Sequence, residues 1–121
     1  MACRTARGAV TVENKTDSIL SNTEEMIKKI LEVNNIAKEN IVSMFFTCTR
    51  DLDAVYPAVA ARNLEIIDAG LMCAQEMYVE GSMKKCIRVL VSFETDLTQK
   101  EIRHIYLGKA AALRPDLGGK K

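Results

Sequence analysis

One long amphipathic helix has to serve every strand this chain can make. From about Asp17 to Asn34 the apolar residues Ile19, Leu20, Met26, Ile27, Ile30 and Leu31 recur at helical spacing, while Glu24, Glu25, Lys28, Lys29 and Glu32 take the other side. Thr16 or Asp17 is suited to cap its start, and Asn34 with Asn35 to end it. A single helical layer covers only one face of a sheet, so any sheet built from the remaining residues has a second face that must meet something else. Subunit association is the simplest answer.

The strands are legible around that helix. Residues 2–12 alternate with Thr5, Arg7, Ala9 and Thr11 on one face and Arg4, Ala6, Gly8 and Val10 on the other. Ile41–Thr49 is apolar on both faces through Val42, Met44, Phe45, Phe46 and Cys48, which predicts an interior strand. Pro57 is placed to open a short helix over Ala58–Leu64. Gly70–Glu76 is a third strand, and Cys86–Thr95 is the clearest, with Ile87, Val89, Val91 and Phe93 forming one wholly apolar face. Thr98 and Glu101 match a capping box for a brief helical turn. The segment HIYLGKAAALRPDL then reads as a short strand and irregular chain, and 114–121 as a mobile tail. With no internal repeat or linker, 1–121 is expected to be a single α+β domain, a mixed β-sheet covered on one face by the long helix.

Composition narrows the partners. At 121 residues the chain can bury roughly two thirds of its extended surface without disulfide or metal staples. Its 17 basic and 16 acidic residues leave a net charge of +1, which counts against nucleic acid as a partner. The most apolar stretches, Ile41–Phe46 and Ile87–Val91, fall far short of the roughly 20 residues that cross a bilayer. The first ten residues carry two arginines with no hydrophobic run behind them, unlike a signal peptide, so a cytoplasmic location without membrane attachment is expected. Cys3, Cys48, Cys73 and Cys86 lie far apart, and His104 is the only histidine, so reduced thiols are expected and no metal site.

Arg88 is the most informative single residue. In KKCIRVLVSFE its parity places it with Cys86, Leu90 and Ser92, opposite the apolar face. A guanidinium within a hydrophobic strand must be paired or must bind an anion, because leaving it desolvated and alone is very costly. An internal salt bridge to Glu76 or Glu94 and a ligand site are both open on this reading. Arg7 poses the same question, and with Arg62 and Arg114 these arginines suggest a small anion bearing more than one carboxylate. Glu76, in CAQEM, reads as an ion-pair partner of Arg88. Tyr56 and Tyr106 read as core rings with a surface hydroxyl, Cys73 has no nearby base, and His104 beside Arg103 reads as a surface or satisfied residue. Phosphate-binding, dinucleotide, nucleophile-elbow and zinc-protease motifs are missing, and the inventory of cations, one carboxylate and hydroxyls suits electrostatic catalysis better than covalent catalysis.

Five strings taken together, RGAVTVE, DLDAVYPA, CAQEM, KKCIRVLV and RHIYLGKAAALRPDL, resemble the small monofunctional chorismate mutases of the α/β type, in order and across nearly the whole chain. The resemblance implies a homotrimeric pseudo-α/β-barrel with an active site at each subunit interface. It also implies the Claisen-type [3,3] rearrangement of chorismate to prephenate, with no cofactor. On the matching positions it implies that Arg88 donates to the ether oxygen as negative charge grows there, and that Arg7 binds a substrate carboxylate. Glu76 accepts from the substrate hydroxyl with Cys73 near it, and Tyr106 donates to a carboxylate. Tyr56, Ala58 and Arg62 line the mouth from the adjacent subunit, and Leu113 with Arg114 belong to a segment that closes over ligand. Val59 stands where similar proteins often carry lysine, and Tyr56 where they often carry phenylalanine. Two other readings compete: an enamine or imine deaminase on a similar trimeric scaffold, and a non-catalytic trimeric sensor of a small dicarboxylate.

Overall fold

The alternation of the strand-like segments resolves into one sheet in a computed structural model of the chain, which describes residues 1–113. The expected mobile tail, 114–121, and with it Arg114, lies outside the described residues. In chain order the elements are β1 (Ala2–Thr11), α1 (Thr16–Val33), β2 (Ile41–Cys48), α2 (Ala58–Asn63), β3 (Gly70–Gln75), β4 (Cys86–Thr95) and β5 (Ile105–Leu107). Short 3₁₀ turns lie at Lys38–Asn40, Gln99–Glu101 and Gly108–Ala112. The sheet order is β3-β2-β4-β1-β5; β4 runs antiparallel to β1 and β2, while β3 and β5 pair parallel at the two edges. The fold is thus α+β with a mixed sheet, and α1 lies along β1, β5 and α2 on one side only.

The two periods in the sequence explain this packing. Ile19, Met26, Ile27 and Ile30 of α1 are fully buried against the row Ala6, Val10, Ile87, Val89, Val91 and Phe93. The helix approaches β1 so closely that a Cβ on Gly8 would stand 2.8 Å from Ile30 Cδ1 and 3.1 Å from Met26 Sδ. The small residues of β1 therefore let a flat seam form where a larger side chain would hold the layers apart.

The helix ends are stabilised unequally. At the start Lys15 is the N-cap residue and no side chain caps the helix; Asp17 instead accepts from the backbone N–H of Ser18, and Ser18 Oγ accepts from that of Glu13. The expected cap by Thr16 or Asp17 is absent because both residues already lie inside the first turn. At the other end Asn34 is buried. Its side-chain amide donates to the carbonyls of Ile30 and Arg103 and accepts the N–H of Arg103, which ties the helix terminus to the segment entering β5. Asn35 follows at φ 54°, a left-handed position that asparagine tolerates. The capping box forms as read, with Thr98 and Glu101 bonded reciprocally.

Candidate active site

Opposite α1 the sheet presents an open face, and its register sets the site. Tyr106 of β5 pairs with Ala9 of β1, Ala9 with Arg88 of β4, and Arg88 with Thr47 of β2. These four residues form one transverse row across the sheet. The next row joins Arg7, Leu90, Phe45 and Met72 by the same ladders. Same-parity residues on neighbouring strands point to one side, so the pairing alone brings two arginines, a tyrosine and a threonine into one neighbourhood. Ala9 keeps the middle of the first row low. It packs with Cys86, Tyr106 and Ala110 in a small cluster that Leu113 borders.

Glu76 completes the group. β3 ends at Gln75, and the Glu76 N–H reaches across to the Cys48 carbonyl at 2.8 Å, which continues the β2–β3 pairing by one residue. Its carboxylate accepts from the Thr47 hydroxyl through Oε1, and the same oxygen lies 3.9 Å from Arg88 Nε. Of the two partners the sequence allowed for Arg88, Glu76 is the one it meets. The pair is loose and wet, with 48% of the Arg88 side chain and 28% of the Glu76 side chain exposed, so its stabilising value is small. Arg7 is held from the backbone: its N–H donates to Nδ1 of His104 at 2.9 Å, and its Nη2 lies 3.3 Å from Nε2 of the same ring. His104, read from sequence as surface or satisfied, thus supports the β1 end of the site.

Arg7, Glu76, Arg88 and Tyr106 line a single cavity of about 230 Å³ with Phe45, Thr47 and Leu90. Tyr56 and Cys73 do not. They line a separate cavity of about 700 Å³ with Cys48, Leu52 and Val55. Cys73 packs toward the helix-covered core, on the face of β3 away from Glu76, because the strand keeps its parity up to its end at Gln75. On α2, Ala58 is buried in the main core and Arg62 is exposed. In one chain, then, the residues singled out from sequence fall into two groups on different surfaces.

The electrostatics favour charge recognition over thiol chemistry. Burial pushes the Cys48 thiol up to about 11, with Cys73 and Cys86 adding to the effect. Burial also raises Cys86, although the neighbouring Arg88 guanidinium pulls the other way. Both stay protonated near neutrality and are poor nucleophiles. Among the described residues, no group of three or more His, Cys, Asp or Glu side chains is placed to hold a metal ion, and no helix is long and apolar enough to cross a membrane. Sequence reasoning passed over Thr47 and His104. Thr47 shares its parity on β2 with Ser43 and Phe45, which marks its face but not its partner; the contact of His104 with Arg7 depends on the β1–β5 pairing and left no local signal.

Known proteins resemble this chain over most of its length. The family model for chorismate mutase type I matches residues 3–117. A chorismate mutase AroH of Bacillus subtilis (strain 168) is 46% identical over 119 residues, covering 97% of this chain and 94% of the relative. Another from Thermus thermophilus is 43% identical over 116 residues, covering 94% and 95%. The solved structure of a chorismate mutase from Clostridium thermocellum superposes with a TM-score of 0.88 at 43% identity, covering 89% of this chain and 97% of that one.

Proposed function

The chain belongs to the type I chorismate mutases and is a chorismate mutase, an isomerase of aromatic amino acid biosynthesis; from that premise we propose which of its residues carry the rearrangement of chorismate to prephenate, and how. The substrate offers two carboxylates, a ring hydroxyl and an enolpyruvyl ether. The ether C–O bond breaks as a new C–C bond forms within the same molecule, so no proton, electron or group leaves it. What the protein supplies is conformer selection and charge stabilisation.

Arg88 donates to the ether oxygen, where negative charge develops as the bond lengthens. A preorganised donor in such a position contributes about 3–4 kcal/mol by analogy with an oxyanion hole. Arg7 binds a carboxylate and Tyr106 donates to a carboxylate, which together hold the folded conformer and reduce the entropy lost on reaching the transition state. Glu76 accepts from the ring hydroxyl and orients the ring. The observation that carries this reading is the convergence of Arg7, Glu76, Arg88 and Tyr106, from four different strand segments, on one cavity of the open face.

That cavity of about 230 Å³ is small beside the roughly 300–1,000 Å³ of ordinary ligand pockets. We therefore place a second copy of the chain over it, in a homotrimer with three interfacial sites and a pseudo-α/β-barrel core. The open face supports this arrangement, since Phe45, Leu90 and Met72 lie exposed in one row of it. The adjacent copy brings Tyr56, Ala58 and Arg62 to the mouth, and Cys73, which shares a cavity with Tyr56, comes with them. Leu113, packed against the cluster that holds Tyr106, closes the site from the C-terminal side. A cytoplasmic setting suits a chain whose four cysteines are all free thiols.

Two measurements test the proposal. Purified protein mixed with chorismate should speed the loss of its ultraviolet absorbance as prephenate forms; a rate equal to the spontaneous one would overturn the catalytic roles. Light scattering at working concentration should give three times the chain mass, and a fully active monomer would overturn the interfacial site.

A further inference from the structure

We propose that Thr47 is a positioning residue of this enzyme, one that keeps Arg88 available to substrate by holding Glu76 off it. The proposal rests on the roles given above to Arg88 and Glu76. Thr47 stands directly across the ladder from Arg88 on the open face, and it lines the same cavity. Its hydroxyl donates to Oε1 of Glu76, the oxygen that lies 3.9 Å from Arg88 Nε. A charge-assisted hydrogen bond between guanidinium and carboxylate is ordinarily about 2.7–2.9 Å long, so Glu76 is a neighbour of Arg88 and not its bonded partner.

That separation matters for the reaction. A guanidinium and a carboxylate this close, both partly desolvated, prefer a bidentate pair. Such a pair would spend on Glu76 the donors that Arg88 must aim at the ether oxygen. It would also turn the carboxylate away from the ring hydroxyl. The Thr47 hydroxyl competes for Oε1, leaves Oε2 as the acceptor for substrate, and fixes the carboxylate by two anchors, one on its side chain and one at its backbone, where the Glu76 N–H meets Cys48. β-Branching restricts Thr47 at χ1, which suits a residue whose task is to hold a direction.

The test is a set of variants assayed with chorismate, each accompanied by a thermal melt. Thr47→Val keeps the shape and removes the donor; kcat should fall about ten- to a hundredfold, the range expected for losing a hydrogen bond to a charged group, with a smaller rise in KM. Thr47→Ser restores the donor and should recover kcat to within about threefold. In a Glu76→Ala background Thr47→Val should cost nothing further, because its only route to the reaction has been removed. Near-parental kcat in Thr47→Val, or an equal loss in the Glu76→Ala background, overturns the proposal. If Glu76→Ala alone leaves kcat/KM unchanged, the role given to Glu76 fails and this one falls with it. Should Thr47→Val not fold, Thr47→Ala against Thr47→Ser makes the same comparison.

Discussion

Along β4 two sets of side chains alternate and meet different fates. Ile87, Val89, Val91 and Phe93 face α1 and are at most 3% exposed, whereas Arg88 and Leu90 point the other way and leave substantial surface open. The covered face is closed by α1, which lies far from β4 in the chain but carries a matching apolar stripe, so the patterning of the two elements specifies the fold. Among the described residues the other face is covered only in part, around Ala9 and Cys86 by Tyr106 and Ala110, and it stays open at Arg88, Leu90, Phe45 and Met72. It can therefore carry a guanidinium in the middle of a strand at little cost, because 48% of the Arg88 side chain stays exposed to water. One strand thus encodes stability with one parity and, with the other, presents the guanidinium proposed for catalysis.

Substitutions on the two faces should separate those roles. Phe93→Ala empties a fully buried site in the covered core, and about 3–5 kcal/mol of unfolding free energy should be lost in a urea titration. Met72→Asp, at the exposed end of the open-face row, should leave the fold of each chain intact by circular dichroism but lower the mass seen by light scattering. If both variants lost stability alike and neither changed the mass, the two faces would be performing one job.

Arg88→Lys tests the chemical parity alone. An ammonium keeps the charge but not the planar fork of donors, so kcat should fall by about 10²–10³ with the melting temperature nearly unchanged. Because the ion pair with Glu76 is loose and wet, little stability depends on it. Near-normal turnover would show that charge, not donor geometry, stabilises the ether oxygen.

The sequence made the covered face readable almost residue by residue. Helical spacing marked α1, alternation marked β1 and β4, and the capping box at Thr98 formed as its spacing required. The anomalous residue on the open face, Arg88, was readable too, because a charge interrupting an apolar strand needs a reason. What local pattern did not carry was pairing. Nothing near Thr47 in the chain says that it lies opposite Arg88, and nothing near Arg7 says that His104 receives its N–H. Cys73 shows the same limit: the family resemblance put it and Glu76 beside one hydroxyl. In a single chain they stay on opposite faces of β3, which makes sense of the pair only if a second copy supplies the cysteine. Membership of the family also decides against the deaminase and sensor readings, which composition and parity had left standing.

A milder substitution probes the α2 side, away from the Arg88 cavity. Val59 is half-buried on α2 next to Ala58, in the group assigned to the mouth of the adjacent copy's site. Val59→Lys adds a cation for the second carboxylate at some distance from the breaking bond. It should lower KM several-fold and leave kcat within about twofold, as binding felt equally in ground and transition states does. An unchanged KM would remove α2 from the site.

The smallest effect belongs to the margin of the covered face, where Cys48 packs against the core edge. Burial raises its thiol from 9.0 in an exposed chain to about 11 in the fold. Between those values the native state holds a proton that the unfolded chain has released, so stability falls as pH rises through that window. Below pH 9 the term is fully present and constant. Cys48→Val has similar volume and no proton to lose. Urea midpoints of parent and variant, measured from pH 8 to pH 11.5, should therefore run parallel at the acid end and diverge above about pH 9, with the parent falling more steeply. Since Cys48 is only partly buried, water screens the effect and the divergence should be slight. Identical slopes would mean that the thiolate is accommodated, and that the covered face is wetter at its edge than at its centre.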